Sequence, residues 1–260
     1  MKLLIYQVDA FAKRLFEGNP AAVVPLESWL PDDVMQTIAA ENNLSETAFF
    51  VEIDSGFHIR WFTPTKEVSL CGHATLASAF VLFEQLGFEG ETLVFDSLSG
   101  ELSVNRTQFG YTLNFPSQMP EQSTYINEIE RTLGVKPIAC FEHEDIVAVF
   151  ESENVVRSLD PDFSILKTLP LRGVIATAQS EEYDFVARFF APKFGIDEDP
   201  VTGSAYTKLA PYWAGVLNKT HLNARQISKR GGDVHCVLDG DRVLISGGAV
   251  LYMKGEIDIN

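Results

Sequence analysis

Runs of apolar, β-branched and aromatic residues bounded by turn residues recur along the chain. In the first half they predict strands over LLIYQVDAF, AAVVPL, TAFFVEI and HIRWFTP. Between the second and third of these, LPDDVMQTIAA opens with a proline and two carboxylates, which suit a first helical turn and its dipole. CGHATLASAFVLF then sets apolar side chains at Ala74, Leu76, Ala77, Phe80 and Val81, a helical spacing. The second half repeats this order. IVAVF and NVVRSL, both predicted as strands, precede DPDFSILKTL; the strand-like GVIATAQ and DFVARFFAP lead into the helical DPVTGSAYTKLAPYWAGVL. Two anchors set the register of the repeat: Arg60-Trp61-Phe62-Thr63-Pro64 against Arg188-Phe189-Phe190-Ala191-Pro192, and Leu30-Pro31-Asp32-Asp33 against Asp160-Pro161-Asp162.

Such a duplication predicts two similar α+β lobes, each with its own sheet. FPSQMPEQST concentrates proline, serine and glutamine and marks the boundary. The expected division is an N-terminal lobe over 1–118 and a C-terminal lobe over 119–247, with the strand near 248–260 a candidate to return to the first lobe. With 260 residues, 46% of them hydrophobic, the chain can fill a sizeable core. Its net charge of −16, with no basic stripe, excludes a nucleic-acid partner. The acidic runs Glu142 to Asp145 and Glu181 to Asp184 read as solvated faces. No apolar stretch reaches the roughly 18 residues of a membrane span, and the N-terminal stretch breaks at Gln7 and Asp9, so a soluble, cytoplasmic chain without a membrane partner is expected. Cys71, Cys140, Cys236 and five scattered histidines have no paired ligand spacing, which supports neither a disulfide framework nor a metal site.

Two facing lobes predict a cleft between them, and the helix that follows each Arg-aromatic-aromatic-x-Pro strand is expected to aim its N-terminus there. Gly72-His73-Ala74 and Thr202-Gly203-Ser204 would then offer unpaired amides to an anion such as a carboxylate, with the Thr202 and Ser204 hydroxyls as further donors. The plainer alternative makes Gly72 and Gly203 tight-turn residues and Ser204 an N-cap. No dinucleotide fingerprint, Walker loop or G-x-S-x-G elbow is present, which leaves dinucleotide, nucleotide and serine-hydrolase chemistry without support.

Gln7-Val8-Asp9-Ala10-Phe11, Phe16 to Ala22, Leu44-Ser45-Glu46-Thr47, Phe62-Thr63-Pro64, Leu70 to Thr75 and Glu198 to Ala205 resemble, in order, the motifs of the PhzF-like isomerase family of phenazine biosynthesis. That resemblance runs through Arg230-Gly231-Gly232 and Gly247 to Val250. It implies a diaminopimelate epimerase-like fold: two pseudo-symmetric lobes, each a curved sheet around a central helix. It further implies an active site that uses no cofactor and no metal, and a homodimer. The expected substrate is a small carboxylated, amino-acid-like molecule, as in the isomerisation of trans-2,3-dihydro-3-hydroxyanthranilate.

The resemblance also implies residue roles. Racemases on this fold use one thiol per lobe. Here Cys71 stands in a context like that of the proline racemases, but Pro200-Val201-Thr202 offers no second thiol. Two-thiol racemisation is therefore excluded. Cys71 is read as a buried small residue, with a single reactive thiol as the alternative. Glu46 matches the family's general acid/base. Eighteen residues before Pro64 is Glu46, whereas eighteen before Pro192 is Val174, so the acid has no counterpart in the repeat. Asp199 matches an aspartate that contacts substrate and could join a proton relay, His73 could orient substrate or pass a proton, and Asn19 is a further contact. Other readings are an epimerase using Cys71 and a non-catalytic protein that binds small carboxylates.

Overall fold

The computed structural model describes residues 1–259. The chain divides into two compact units, Met1–Asn114 together with the terminal segment from Ser246, and Phe115–Ile245. The first unit opens with β1 (Lys2–Ala10), β2 (Asn19–Leu26), α1 (Asp32–Asn42), β3 (Glu46–Ile53), β4 (Gly56–Phe62) and the short β5 (Glu67–Val68). It continues with α2 (Gly72–Glu84), β6 (Thr92–Asp96), β7 (Leu102–Thr107) and β8 (Gly110–Pro116). In the second unit come β9 (Glu121–Gln122), α3 (Ile126–Leu133), β10 (Ala139–Glu142), β11 (Ile146–Val149), α4 (Glu153–Ser158), α5 (Phe163–Leu166) and β12 (Val174–Gln179). There follow β13 (Phe185–Ala191), β14 (Ile196–Asp199), a 3-10 turn at Gly203–Ala205, α6 (Tyr206–Leu217), β15 (His221–Gln226), β16 (Gly232–Asp239) and β17 (Arg242–Gly247). The last strand, β18 (Ala249–Asp258), pairs antiparallel with β1 from Lys2↔Asp258 to Ala10↔Ala249.

Strand pairing repeats between the units. In the first, β1–β2 is antiparallel, β2–β3 parallel, β3–β4 antiparallel, β4–β6 parallel and β6–β7 antiparallel. The second follows the same sequence with β10–β11, β11–β12, β12–β13, β13–β15 and β15–β16. Each long helix, α2 or α6, lies in the crossover before the parallel partner.

The repeated arginines show why the duplicated motif recurs. Arg60 makes two bonds of 2.7 Å to the Glu67 carboxylate and lies 5.1 Å from the Phe62 ring centre. Arg188 holds Glu198 at 2.7 and 3.0 Å and lies 4.9 Å from the Phe190 ring centre. A planar guanidinium suits both the carboxylate fork and the aromatic face, so it ties each strand to the short strand beside it.

Pleating sorts the strand residues onto two faces. Ala22, Val24, Phe49, Val51 and Phe62 pack with Met35 and Ala39 of α1 in one core. Their neighbours Ala21, Val23, Ala48, Phe50 and Trp61 are equally buried and turn to the other face of the sheet, and α2 lies against β1, β2 and β3. α2 is buried almost all round, from His73 to Phe83, as expected of a helix without a polar face. In the second unit, α3, α4 and α5 cover one core through Ile129, Val156 and Leu166. α6 buries Tyr206 to Pro211, and Trp213 stacks on Phe185 at 5.6 Å while donating Nε1–H to Thr177 Oγ1 at 3.0 Å.

Two expectations from the sequence are corrected. NVVRSL is the helix α4 and its C-cap rather than a strand, because Ser152 caps the Val155 amide and Arg157 pairs with Glu153 one turn earlier at 2.5 Å. The partner of β2 in the repeat is therefore β11, and β10 takes the place of β1. The acidic run at 142–145 is not wholly solvated either, since Asp145 is fully buried between two cations. No helix among the described residues is long and apolar enough to cross a membrane.

Candidate functional site

In the first unit, four of the sequence-predicted residues come together. Glu46 begins β3, His73 sits in the first turn of α2, Cys71 is that helix's N-cap residue, and Asn19 begins β2. Asn19 is placed by Gly18, whose φ of +69° and missing Cβ are both required: a Cβ there would lie 2.1 Å from the Ala10 carbonyl oxygen. Thr75 Oγ1 bonds back to the Cys71 carbonyl at 2.6 Å and holds the first turn of α2 in place.

The His73 ring stands between its neighbours. On the Nδ1 side are Asn19 Nδ2 at 3.4 Å and Cys71 Sγ at 3.5 Å; on the Nε2 side, Glu46 Oε2 is 3.2 Å away. The His73 and Glu46 side chains are only 6% and 13% exposed, and their facing atoms are close without being aligned as a hydrogen bond. The 3.2 Å separation is within hydrogen-bond reach, so a proton can pass between the two groups once they align.

Burial, the largest influence on His73, favours its neutral form, but the Cys71 sulfur and the Glu46 carboxylate outweigh it and raise its pKa well above the usual imidazole value. The Cys71 thiol is itself pushed up, first by burial and then by the Glu46 charge. A neutral sulfur adds little field at pH 7, which leaves Glu46 as the partner that holds the histidine proton. Cys71 is thus a buried thiol, without the lowered pKa of a reactive one.

A carboxylate, a thiol and an imidazole whose ligand atoms lie within 4.8 Å of one another are a conceivable metal set. The thiol and carboxylate, however, approach opposite nitrogens of the imidazole. A ring inserted between two groups suits proton transfer better than convergence on one ion. Of the first-turn amides of α2, those of Gly72 and His73 lack carbonyls one turn earlier, whereas that of Ala74 faces the Cys71 sulfur.

In the second unit, Val174 begins β12 as Glu46 begins β3, so the acid is absent at the equivalent place. Asp199 ends β14 and is 7% exposed. Its carboxylate accepts from Thr202 Oγ1 at 2.5 Å. Gln226 on β15, fully buried, accepts from the Thr202 amide at 2.9 Å and donates to the Asp199 carbonyl at 2.7 Å. The expected Thr202 amide donor is therefore already spent on Gln226, and the turn's free donors begin at Gly203 and Ser204. Ser204 is not an N-cap: Thr202 precedes the 3-10 turn, and Ala205 precedes α6. Sequence reasoning missed Gln226. Nothing in ARQIS distinguishes it from any strand glutamine, and its role exists only because β15 runs beside this turn.

Comparisons with known proteins agree with one another. A family model described as phenazine biosynthesis-like protein matches residues 8–255. An uncharacterized isomerase of Pseudomonas aeruginosa is 52% identical over 261 residues, with both chains covered in full. The crystal structure of a phenazine biosynthesis protein of the PhzF family from Enterococcus faecalis matches with a TM-score of 0.97 at 50% identity, again covering 100% of each chain. A hydroxyproline epimerase from Agrobacterium vitis shares the fold alone, with a TM-score of 0.61 at 10% identity over 98% of this chain and 92% of that one. The fold is thus diaminopimelate epimerase-like.

Proposed function

The chain belongs to the PhzF family of phenazine biosynthesis-like proteins, and from that premise we propose that it is a cofactor-independent isomerase of a small carboxylated, amino-acid-like substrate. The reaction is similar to the isomerisation of trans-2,3-dihydro-3-hydroxyanthranilate. The Glu46 carboxylate takes a proton from one carbon, the C–H electron pair moves into the adjoining π system, and the same carboxyl returns the proton to a second carbon. Nothing is oxidised or reduced.

The observation that carries this reading is the buried Glu46–His73 pair at 3.2 Å, at the N-terminus of α2. His73 stores or relays the proton while Glu46 changes state, and Asn19 orients the ring. The amides at Gly203 and Ser204 bind the substrate's carboxylate, and those at Gly72 and His73 are further anion donors. Asp199, oriented by Thr202 and Gln226, holds the amino or hydroxyl group.

The test is deuterium incorporation from D2O into a panel of cyclic and acyclic amino acids, read by mass spectrometry. Wild type is expected to exchange at least one of them. Glu46→Gln should lower that rate by about 10²–10⁴ with its melting temperature preserved. Full exchange by the variant would remove Glu46 from the chemistry, and binding without exchange by wild type would point to a carboxylate-binding protein instead.

A further inference from the structure

We propose that Arg172 is a positioning residue: its bond to Ser204 turns the serine hydroxyl into a dedicated hydrogen-bond donor and makes the Gly203–Ser204 turn selective for carboxylates over neutral amides. This rests on the reading that the turn binds the substrate's carboxylate.

A serine hydroxyl carries one proton and two acceptor lone pairs. Arg172 Nη2 donates to Ser204 Oγ at 3.0 Å. A guanidinium has no acceptor, so the serine proton must point elsewhere. The guanidinium is itself immobilised. Its Nε and Nη2 donate to the two oxygens of Asp145 at 2.8 and 2.6 Å, and Asp145 is fully buried. One face lies 5.4 Å from the Phe189 ring centre, and the Arg172 backbone amide donates to the Glu144 carbonyl at 3.0 Å.

The Ser204 backbone is held as firmly. Its carbonyl accepts from Thr207 Oγ1 at 2.7 Å and from Lys208 Nζ at 3.3 Å, and that fully buried lysine also pairs with Asp145 at 3.3 Å. Gly203 and Ala205 are buried while Ser204 is partly exposed, so Ser204 is the residue of this turn that solvent reaches. A hydroxyl whose oxygen is held by a guanidinium is a fixed, polarised donor, and such a donor favours a carboxylate. An amide would offer at that position either a weaker acceptor or a second donor.

The experiment is fluorescence titration of the full-length protein with anthranilate, a small aromatic amino acid, and with 2-aminobenzamide, its neutral amide. Wild type is expected to prefer anthranilate. Arg172→Gln, whose side-chain carbonyl can accept the Ser204 proton, should weaken anthranilate binding about tenfold and leave 2-aminobenzamide nearly unchanged. Ser204→Ala should lose the same preference, and Arg172→Gln should add nothing in that background. Arg172→Lys should recover part of the preference, and it carries the same cycle should the glutamine variant fail to fold.

Equal losses for both ligands, or additive losses from the two sites, would overturn the Arg172 assignment. So would weakening by Ser204→Ala with neither Arg172 variant having any effect. If wild type does not bind anthranilate, or Ser204→Ala binds it as wild type does, the carboxylate-binding role of the turn fails and the Arg172 assignment falls with it.

Discussion

The buried charge cluster of the second unit gives a stability expectation whose sign depends on which partner is removed. Asp145 and Lys208 are both fully buried, and Arg172 is partly so. Asp145 accepts two bonds from Arg172 and pairs with Lys208, so it is the counter-charge the two cations share. Asp145→Asn keeps the side-chain shape but leaves the two cations facing each other, with the half-exposed Glu144 carboxylate, 3.1 Å from Lys208 Nζ, and the field of Asp199 at Arg172 as the counter-charges. Breaking a buried pair from one side costs about 3–5 kcal/mol. At roughly 3 °C per kcal/mol for a chain of this size, the melting temperature should drop on the order of 10 °C.

Lys208→Met is different. It removes a desolvated charge, and Asp145 keeps its two-bond partner in Arg172. The lost ion pair is offset by the relieved desolvation, so the expected cost is about 1 kcal/mol, a shift of a few degrees. Scanning calorimetry of both variants at one near-neutral pH measures the contrast. If Lys208→Met melts below Asp145→Asn, or Asp145→Asn melts within about 2 °C of wild type, the assignment of Asp145 as the hub of the cluster is wrong.

Two further outcomes concern the first-unit cluster, beyond the Glu46→Gln exchange and the Arg172–Ser204 titrations. His73 holds its proton more tightly folded than unfolded, so its contribution to stability is complete below the unfolded value of about 6.5 and is lost as pH rises through the folded midpoint. Proton NMR of the His73 ring should show that midpoint above about 6.5, and Glu46→Gln should lower it; a wild-type midpoint below about 6.5 would refute Glu46 as the proton's partner. Burial raises the Cys71 and Cys236 thiols and pushes Cys140 up to about 11. Iodoacetamide at pH 7.5 should accordingly label the native protein slowly and all three cysteines quickly after denaturation. Rapid native labelling of Cys71 would restore the reactive-thiol reading.

The residue order was most informative where the pattern is local and repeated. Arg60-Trp61-Phe62 and Arg188-Phe189-Phe190 announced equivalent strands, because the same guanidinium must meet the same kind of carboxylate and ring in each unit. Glu46 could be singled out because the register of the repeat puts Val174 in its place. NVVRSL was misread because valines favour strands in isolation, whereas the Ser152 cap and the Glu153–Arg157 pair act over one turn and carry the segment into a helix.

What the sequence alone determined, then, was a duplicated α+β chain, its long helices, and the residues that begin β3 and α2. Hydrophobic period and turn chemistry are properties of neighbours along the chain and survive without a fold. Only the tertiary structure decided that His73 stands between Cys71 and Glu46, that Gln226 takes the Thr202 amide, and that Asp145 is buried between Arg172 and Lys208. Those partners come from distant segments, and an acid in an acidic run reads as solvated until packing removes the water around it. Buried polar groups must find partners wherever the folded backbone places them, and no local pattern records that choice.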